Sequence, residues 1–331
     1  MSLEGSRKKG KKYINVIPTD EAGFGKMIPI MREYMKNKAE NVPKKTLGPF
    51  STDKSVYQTP PASGLRITWV GHSSILIEID GKRILTDPVW GERASFSKLI
   101  GPKRFFAPPI ALADLPSLDA IIISHDHYDH FDKDTIKFFA GTTIPFYCSL
   151  GVGSYLAEWG IVKNYINEMD WGDAAMIGGD AVLTATPSRH FSGRGIVNRN
   201  ETLWSSFVIK GPKHNIYFGA DSGWSPSFAE IGEAFGPFDL TMLEVGAYGK
   251  FWPDIHMGPD HASNAHIALK GKLMMPIHYG TFSLAPHAWY EPVERLEKYA
   301  KDKKITLFLP EPGKPTEVNG GYNSEWWKRF R

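Results

Sequence analysis

Four potential metal ligands lie within six consecutive residues of the sequence: His125, His127, Asp129 and His130. They follow the apolar run Ala120–Ile123, which predicts a β-strand that carries the next loop to one rim of a sheet. Neutral imidazoles and carboxylates are the ligands that Zn²⁺ and similar borderline metals take. A solvated polar turn is the weaker interpretation, because crowding so many titratable groups without a metal costs free energy. The spacing therefore predicts a metal site.

Three later positions each place one further ligand where an apolar run meets a turn of small residues. They are His190, Asp221 and His278. Because strands of similar direction end at the same edge of a sheet, we expect these side chains to converge on the rim that carries the first cluster.

Strand-like and helix-like runs alternate through residues 65–315, which we interpret as one domain. The predicted strands are Arg66–Val70, Ser74–Ile79, Lys82–Thr86, Ala120–Ile123, Ile144–Cys148, Asp180–Thr184, Phe207–Ile209, Asn215–Phe218, Leu240–Val245, Leu273–Ile277 and Ile305–Leu309. The predicted helices are Asp132–Ala140, Val152–Trp159, Ser227–Phe235, Ala262–Leu269 and Pro292–Lys301. Asp80-Gly81 predicts a tight hairpin turn, and Asp132 is a predicted N-cap.

Two terminal segments flank this domain. Residues 1–64 are read as an N-terminal extension that packs on the domain, with one helix-like stretch at Gly25–Lys38. Residues 316–331 form a C-terminal tail, whose end carries Trp326 and Trp327 beside basic residues. That end is typical of an interfacial membrane anchor, and packing back onto the domain is the alternative.

Composition narrows the classes of protein. The chain has 331 residues, a net charge of +3 and 42% hydrophobic residues, which is ordinary for a globular protein. With no basic stripe along the domain, we expect no nucleic-acid partner. The single Cys148 excludes an internal disulfide and is expected to be a buried small side chain. The basic cluster between Arg7 and Lys12 is expected to be a solvated, mobile terminus, with contact to anionic lipid or phosphate as the alternative.

The location that we expect is cytoplasmic or peripheral to a membrane. No run of about 18 consecutive apolar residues occurs, so no transmembrane helix is predicted. The start Met1-Ser2-Leu3 is typical of an expression remnant, so a natural targeting segment could have been trimmed.

The ligand order His-x-His-x-Asp-His, followed by His, Asp and His at later strand ends, resembles the metallo-β-lactamase superfamily over about residues 65–310. Further stretches resemble the branch that contains the N-acylphosphatidylethanolamine-hydrolysing phospholipase D. They are Gly101-Pro102-Lys103-Arg104-Phe105, Leu203-Trp204-Ser205-Ser206, Phe235-Gly236-Pro237-Phe238-Asp239-Leu240, Gly246-Ala247-Tyr248 and Ile277-His278-Tyr279-Gly280-Thr281-Phe282. The resemblance implies an α/β fold (α+β in some schemes), namely the four-layer αββα metallo-β-lactamase sandwich.

The resemblance also implies a ligand set and a cofactor. The first metal would be bound by His125, His127 and His190; the second would be bound by Asp129, His130 and His278; Asp221 would bridge the two. The expected cofactor is two Zn²⁺ per chain, with Fe or Mn²⁺ as the ions that the same ligands accept. Asp87 would steady a metal-bound histidine by hydrogen bonding, and the alternative is a strand-end aspartate that caps a turn.

Further residues are candidates for catalysis and substrate binding, and of these His256 aligns with a histidine of the phospholipase branch. His72, Asp129 and His256 are candidate catalytic residues. His256 would contact the substrate phosphate or protonate the leaving alkoxide. The alternative for His72 and His256 is that they are loop or packing residues. Tyr248, Trp252 and Phe282 are candidates for an acyl-chain groove, with core packing as the alternative. They are predicted substrate-binding residues.

The resemblance implies hydrolysis of a phosphodiester in an N-acylated phospholipid, with a metal-bridging hydroxide attacking phosphorus. The loop between Tyr248 and His256 is shorter than in the mammalian-type enzyme, which leaves the lipid open. A lactonase or sugar-phosphate hydrolase of the same fold is the enzymatic alternative, and a non-catalytic metal-binding protein is the other. The expected partner is a small-molecule or phospholipid substrate, with peripheral membrane contact, and the sequence leaves the metal, the substrate and the oligomeric state open.

Overall fold

The computed structural model of the chain describes residues 3–21, 27–36, 40–195 and 198–331. The helices of these ranges are α1 (Met27–Lys36), α2 (Lys133–Phe138), α3 (Gly153–Glu158), α4 (Ser227–Phe235), α5 (Gly258–Ala268) and α6 (Glu291–Lys303). The strands are β1 (Arg7–Lys9), β2 (Lys12–Ile14), β3 (Leu65–Gly71), β4 (Ser74–Ile79), β5 (Lys82–Thr86), β6 (Ala120–Ile123), β7 (Phe146–Ser149), β8 (Ile166–Met169), β9 (Ala174–Ile177), β10 (Ala181–Pro187), β11 (Ser205–Lys210), β12 (Asn215–Phe218), β13 (Phe238–Glu244), β14 (Gly271–Ile277), β15 (Thr306–Leu309), β16 (Thr316–Glu317) and β17 (Tyr322–Asn323).

Two mixed sheets form the centre of the protein. One has the order β16-β3-β4-β5-β6-β7-β8, and the other has the order β17-β15-β14-β13-β12-β11-β10-β9. In the first sheet, β3, β4 and β5 are antiparallel neighbours, and β5 to β8 are parallel. In the second, β12 to β15 are parallel, while β9 to β12 alternate in direction.

The alternation of side chains along the strands separates two apolar layers. In β4, Ile75 and Ile77 point into the core between the sheets, whereas Leu76 points to the outer layer that α2 and α3 cover. Such two-residue alternation is what a strand covered on both faces requires. Helices α4, α5 and α6 cover the outer face of the second sheet. The result is the predicted αββα sandwich.

Most of the predicted elements are confirmed with small shifts at their ends. Strands β4 and β5 have the predicted bounds, and Asp80 and Gly81 between them both have positive φ, as a primed hairpin turn requires. Asp132 accepts a hydrogen bond from the backbone N–H of Thr135 and so caps α2. Helix α5 begins at Gly258 rather than at Ala262, because Pro259 occupies its first turn. Sequence analysis missed β8 and β9, which are short and half-exposed.

The segments outside the sandwich also pack on it. Residues 7–14 form the antiparallel hairpin β1–β2, so the expectation of a mobile basic terminus is wrong there. The predicted helix Gly25–Lys38 is observed as α1, and residues 25–26 and 37–38 lie outside the described residues. Trp326 and Trp327 are fully buried, which excludes them as an interfacial anchor. Among the helices in the described ranges, none has the length and apolarity that crossing a bilayer requires.

Strand direction brings the polar strand ends to one rim. Strands β3 and β5 run the same way because each is antiparallel to β4. Strands β10 and β12 run the same way because each is antiparallel to β11. The loops that follow these strands, and those after β6, β13 and β14, carry the candidate functional residues.

Candidate metal centre

Backbone conformation at the rim is unusual at three candidate residues. His72, Asp87 and His278 each follow the last residues of a strand and have positive φ values of 56°, 37° and 62°. Non-glycine residues adopt this left-handed region at a cost of about 1–2 kcal/mol. Such strain persists only where surrounding contacts hold it, and it concentrates at functional sites.

The first group of ligand atoms joins three histidines and one aspartate. His125, His127, His190 and Asp221 each offer an atom within 4.8 Å of the others. His127 Nδ1 lies 2.9 Å from His125 Nε2 and 3.3 Å from His190 Nε2. His190 Nε2 lies 3.6 Å from Asp221 Oδ2. The structure therefore brings together the residues predicted for the first metal and the predicted bridging aspartate.

The second group contains the other predicted ligands and one more histidine. His72, Asp129, His130 and His278 lie within the same 4.8 Å limit. Asp129 Oδ2 lies 2.8 Å from His72 Nε2, 3.2 Å from His278 Nε2 and 3.5 Å from His130 Nε2. Asp221 lies between the groups, 3.2 Å from His130 and 3.1 Å from His278. His72 is thus a buried member of the site and not an exposed loop residue.

Asp87 holds His130 from the side away from the cluster. Its Oδ2 accepts hydrogen bonds from His130 Nδ1 and from Ser124 Oγ, both at 2.7 Å, and its Oδ1 accepts one from the backbone N–H of Ser124 at 2.7 Å. The carboxylate fixes the tautomer of His130, so that Nε2 faces the ligand group.

Glu244 is a functional candidate that sequence analysis missed. It is fully buried at the end of β13, and its Oε2 lies 2.6 Å from His256 Nδ1. Its Oε1 accepts hydrogen bonds from the backbone N–H groups of Ser222 and Met257, both at 3.1 Å. The signal available in the sequence was a single acidic residue within the apolar run Leu240–Val245. Glu244 also lies within ligand distance of Asp221, but its contacts make it the partner that orients His256.

The first group of histidines is electrostatically suited to metal binding. Burial lowers the pKa of His125, His127 and His190, and the positive charge that neighbouring rings would carry lowers that of His125 and His190 further. These imidazoles are therefore neutral at pH 7, which leaves a lone pair on each ring for a metal.

The carboxylates of Asp129 and Asp221 are ionised because neighbouring imidazoles outweigh the effect of burial. Burial by itself would raise the pKa of Asp129 and Asp221, but the adjacent imidazoles, above all His130, hold both values well below the usual range. Burial would lower the pKa of His278, and Asp221 instead raises it to about 10. The metal-free cluster thus keeps protons between the carboxylates and His130 or His278, and metal binding displaces such protons.

A cleft of about 290 Å³ opens onto both groups. Its polar wall includes Asp129, His256 and His278, and its apolar wall is formed by Phe191, Trp252, Ile255 and Leu284. Of the three predicted substrate residues, Trp252 lines the cleft. Phe282 packs edge-on against His72 at a centroid distance of 5.3 Å, and Tyr248 stacks on His287 at 4.5 Å. Neither ring is among the side chains that line this cleft.

Comparison with known proteins gives matches over most of the chain. A family model described as a β-lactamase superfamily domain matches residues 82–279. An uncharacterized protein of Mycobacterium tuberculosis is 47% identical over 272 residues, which are 81% of this chain and 73% of that protein. The N-acyl-phosphatidylethanolamine-hydrolyzing phospholipase D 1 of Caenorhabditis elegans is 36% identical over 262 residues, which are 75% of this chain and 74% of that protein.

Among solved structures, a metallo hydrolase from the archaeon Ignicoccus hospitalis superposes with a TM-score of 0.58 at 22% identity, over 76% of this chain and 97% of that chain. That likeness concerns the fold. The seven predicted ligands and Asp87 all lie inside the region that the family model matches, whereas His72 precedes it.

Proposed function

Because the chain belongs to the metallo-β-lactamase superfamily, and to its branch of N-acylphosphatidylethanolamine phospholipases D, we propose that it is a two-metal phosphodiesterase acting on an N-acylated phospholipid. The chain is a metal-dependent hydrolase by this membership. The proposal concerns the number of metals, the bond that is cleaved and the substrate.

The residues of the centre fit a pair of divalent metals. His130 Nε2 and Asp221 Oδ1 are buried within the ligand groups and lie 3.2 Å apart, but they are not aligned for a hydrogen bond with each other or with another described residue. Buried polar atoms are normally satisfied, so these atoms point to ligands that bind them. The mixture of imidazole and carboxylate suits Zn²⁺, and the same ligands accept Fe or Mn²⁺. When bound, two such ions would lower the pKa of a water molecule and attract the oxygens of a phosphodiester.

Asp129 and His72 are suited to orienting the attacking water. Asp129 is ionised, its side chain is 14% exposed, and it lines the cleft. His72 Nε2 donates a hydrogen bond to Asp129 Oδ2 and fixes the carboxylate plane. In hydrolysis, the water oxygen forms a bond to phosphorus while the bond from phosphorus to the N-acylethanolamine oxygen breaks.

His256 is suited to the leaving oxygen. Its Nδ1 donates to Glu244, so Nε2 is the ring nitrogen left for the substrate in the cleft. When both of its ring nitrogens are protonated, a histidine that a buried carboxylate orients in this way can donate a hydrogen bond or a proton from Nε2 to the departing alkoxide. The products would be an N-acylethanolamine and a phosphatidic acid.

One observation carries the substrate class: two ligand groups and an apolar wall share a single cleft. The ligands favour an anionic, oxygen-rich centre. Phe191, Trp252 and Leu284 beside them favour a substrate with an apolar chain. A small polar lactone or sugar phosphate would leave that wall without a contact.

The described residues include two exposed apolar surfaces, and we include in the proposal that they dock on an anionic lipid bilayer. Loop 91–103 is closed at its neck by a β-bridge between Arg93 and Lys103, and its tip exposes Phe96 by 76% and Leu99 by 85%. The Phe96 ring lies 6.4 Å from that of Tyr128, which stands between two of the ligands in sequence. Exposed apolar groups of this size are typical of interaction sites.

Helix α1 forms the second surface. Ile30 packs against the apolar cluster of Trp252 and Ile255 that borders the cleft, whereas Ile28, Met31 and Met35 are exposed on the other side of the helix. Arg32 and Lys36 are exposed in the same helix. An apolar stripe with adjacent cations is typical of helices that lie in a membrane interface.

The test of the proposal is hydrolysis of N-acylphosphatidylethanolamine by metal-analysed protein, with a lactone and a simple phosphodiester assayed in parallel. The wild type is compared with Asp221→Ala and with Asp302→Ala, a control that removes an exposed carboxylate of α6. We expect two metal ions per chain and lipid cleavage by the wild type and the control, with cleavage lost in Asp221→Ala.

Other outcomes would each contradict a defined part of the proposal. Cleavage of the lactone or the simple phosphodiester alone would reject the lipid substrate and favour the alternative of a small-molecule hydrolase. Metal binding without hydrolysis of any of the three substrates would favour a non-catalytic metal-binding protein.

A further inference from the structure

Residues 13–21, which we call the N-terminal segment, run across the loops that hold the metal centre. They lie far ahead of the region that the family model matches, which begins at residue 82. Tyr13 at their start is buried, and its backbone N–H donates to Asn200 O at 2.8 Å. The contacts of the following residues converge on one candidate ligand, His190.

Asn15 holds the backbone of His190 on both sides. Its Oδ1 accepts a hydrogen bond from the His190 N–H at 3.0 Å, and its Nδ2 donates to the His190 carbonyl at 2.8 Å. The same Oδ1 accepts from Trp204 Nε1 at 3.1 Å, which fixes the orientation of the amide. His190 Nδ1 donates to Ile255 O at 3.0 Å, so ring and backbone are both held.

The rest of the segment ties together the two loops that contact His190. Arg189, the preceding residue, donates to Pro18 O at 2.6 Å and to Thr19 Oγ1 at 3.1 Å, and it pairs with Asp254 at 2.9 Å. The backbone N–H of Asp20 donates to the same Asp254 carboxylate at 2.9 Å. Asp254 directly precedes the residue whose carbonyl accepts from His190, so the segment braces both sides of this ligand.

At its end the segment becomes a wall of the cleft. Glu21 and Arg199 both line the cleft and form an ion pair at 2.9 Å. Asn200 Nδ2 donates to Glu21 Oε1 at 3.0 Å. The segment therefore reaches from the back of His190 to the surface that a substrate would contact.

We propose that the N-terminal segment holds the metal centre in its binding geometry, and that Asn15 is the positioning residue for His190. This inference rests on the proposed function, since it takes His190 to be a metal ligand. Partners that orient a ligand typically change metal affinity by about 10–100-fold when they are removed. A purely structural role would change the stability of the fold without selecting one metal.

The experiment compares Asn15→Ala and Asn15→Asp with wild type and with Asn215→Ala. Asn215 is the matched control, because its Nδ2 donates to Phe235 O at 2.7 Å and Pro237 O at 3.0 Å, away from the ligand groups. The readouts are metal ions per chain, the rates at which each equivalent of Zn²⁺ passes to a chelator dye, and the thermal midpoint of unfolding. None of these depends on catalytic activity.

In Asn15→Ala we expect one equivalent of Zn²⁺ to be released about tenfold or more faster than in wild type, with the other equivalent unchanged. Asn15→Asp keeps the acceptor for the His190 N–H but cannot donate to its carbonyl, so its rate should lie between the two. Asn215→Ala should lower the thermal midpoint and leave both rates unchanged.

Release at wild-type rates from both Asn15 variants would overturn the inference, and so would equal acceleration in Asn215→Ala. Failure of the proposed function has a different signature: wild-type protein would hold fewer than two metals per chain or would cleave none of the test substrates. If Asn15→Ala does not fold, the comparison of Asn15→Asp with wild type decides the question by the same rates.

Discussion

Replacing Asp87 by alanine gives the sharpest test of how the metal centre is held. The carboxylate is fully buried and accepts three hydrogen bonds, each at 2.7 Å, from Ser124 N, Ser124 Oγ and His130 Nδ1. The hydroxyl of Ser124 has a second partner in His125 Nδ1 at 2.9 Å, so it can be satisfied in the variant. The other two donors are fixed and would be left buried without an acceptor.

The size of the effect follows from these two donors. An unsatisfied buried donor costs about 1–3 kcal/mol, so the free energy of unfolding should fall by about 2–6 kcal/mol. Domains are commonly stable by about 5–15 kcal/mol, so we expect the variant to fold. His130 also loses the partner that sets its tautomer, which should weaken metal binding by about 10–100-fold.

Asp80 offers a matched control at the opposite end of β5. It also has positive φ, at 48°, and its carboxylate accepts from Lys213 N, His214 N and His214 Nδ1 at 2.8, 2.9 and 2.7 Å. Asp80→Ala should therefore lower stability by a similar mechanism and leave metal binding unchanged.

The assay combines denaturant unfolding of the metal-free proteins with metal competition against a chelator dye. We expect Asp87→Ala to lose both stability and metal affinity, and Asp80→Ala to lose stability alone. Wild-type metal affinity in Asp87→Ala would refute the reasoning, because it would mean that His130 needs no carboxylate partner to act as a ligand.

Three further predictions concern the catalytic pair, the lipid-facing loop and the single cysteine. His256→Gln should lower kcat by about 10²-fold or more and Glu244→Gln by less, both with unchanged metal content, since the pair acts on the leaving group; loss of metal from His256→Gln would contradict this role. Phe96→Ser combined with Leu99→Ser should weaken binding to anionic vesicles by about tenfold or more in sedimentation, because each apolar side chain contributes about 1.5–3 kcal/mol when it is buried. Hydrolysis of a water-soluble substrate should be unchanged, and equal vesicle binding by both proteins would reject loop 91–103 as a docking surface. Burial raises the pKa of the Cys148 thiol, so the thiolate fraction at pH 8 should be lower than that of a free thiol and a disulfide reagent should react only after unfolding; rapid labelling of the native protein would show that Cys148 is accessible.

Local sequence signals predicted the frame of the fold well where they coincide with tertiary packing. The turn Asp80-Gly81 fixed the β4–β5 hairpin because only residues that tolerate positive φ suit that turn. The Asp132 side chain predicted the start of α2 because a helix leaves its first N–H groups without partners. Strands β8 and β9 gave too weak a signal, since they are short and half-exposed and gain their stability from neighbours in the sheet.

The candidate site likewise contains residues that the sequence predicted and residues that it did not. The ligand-rich loop after β6 was visible because its four ligands are close in sequence as well as in space. Glu244 and Asn15 carried no comparable pattern, since each contacts the site across a long sequence separation: Asn15 lies 175 residues from His190. An orienting carboxylate or amide is defined by what it contacts, and a single sequence does not contain that contact.

The sequence by itself determined which residues are chemically able to bind metal, and that apolar strands would bring them to one rim of a sheet, because residue type and hydrophobic period are local properties. Only the tertiary structure decided that His72 joins the second ligand group, that Glu244 holds His256 and that residues 13–21 brace His190. It also decided that Trp326 and Trp327 belong to the core rather than to a membrane anchor. The physical reason is that these assignments depend on the distances between atoms of separate strands and loops, which are fixed when the two sheets pack.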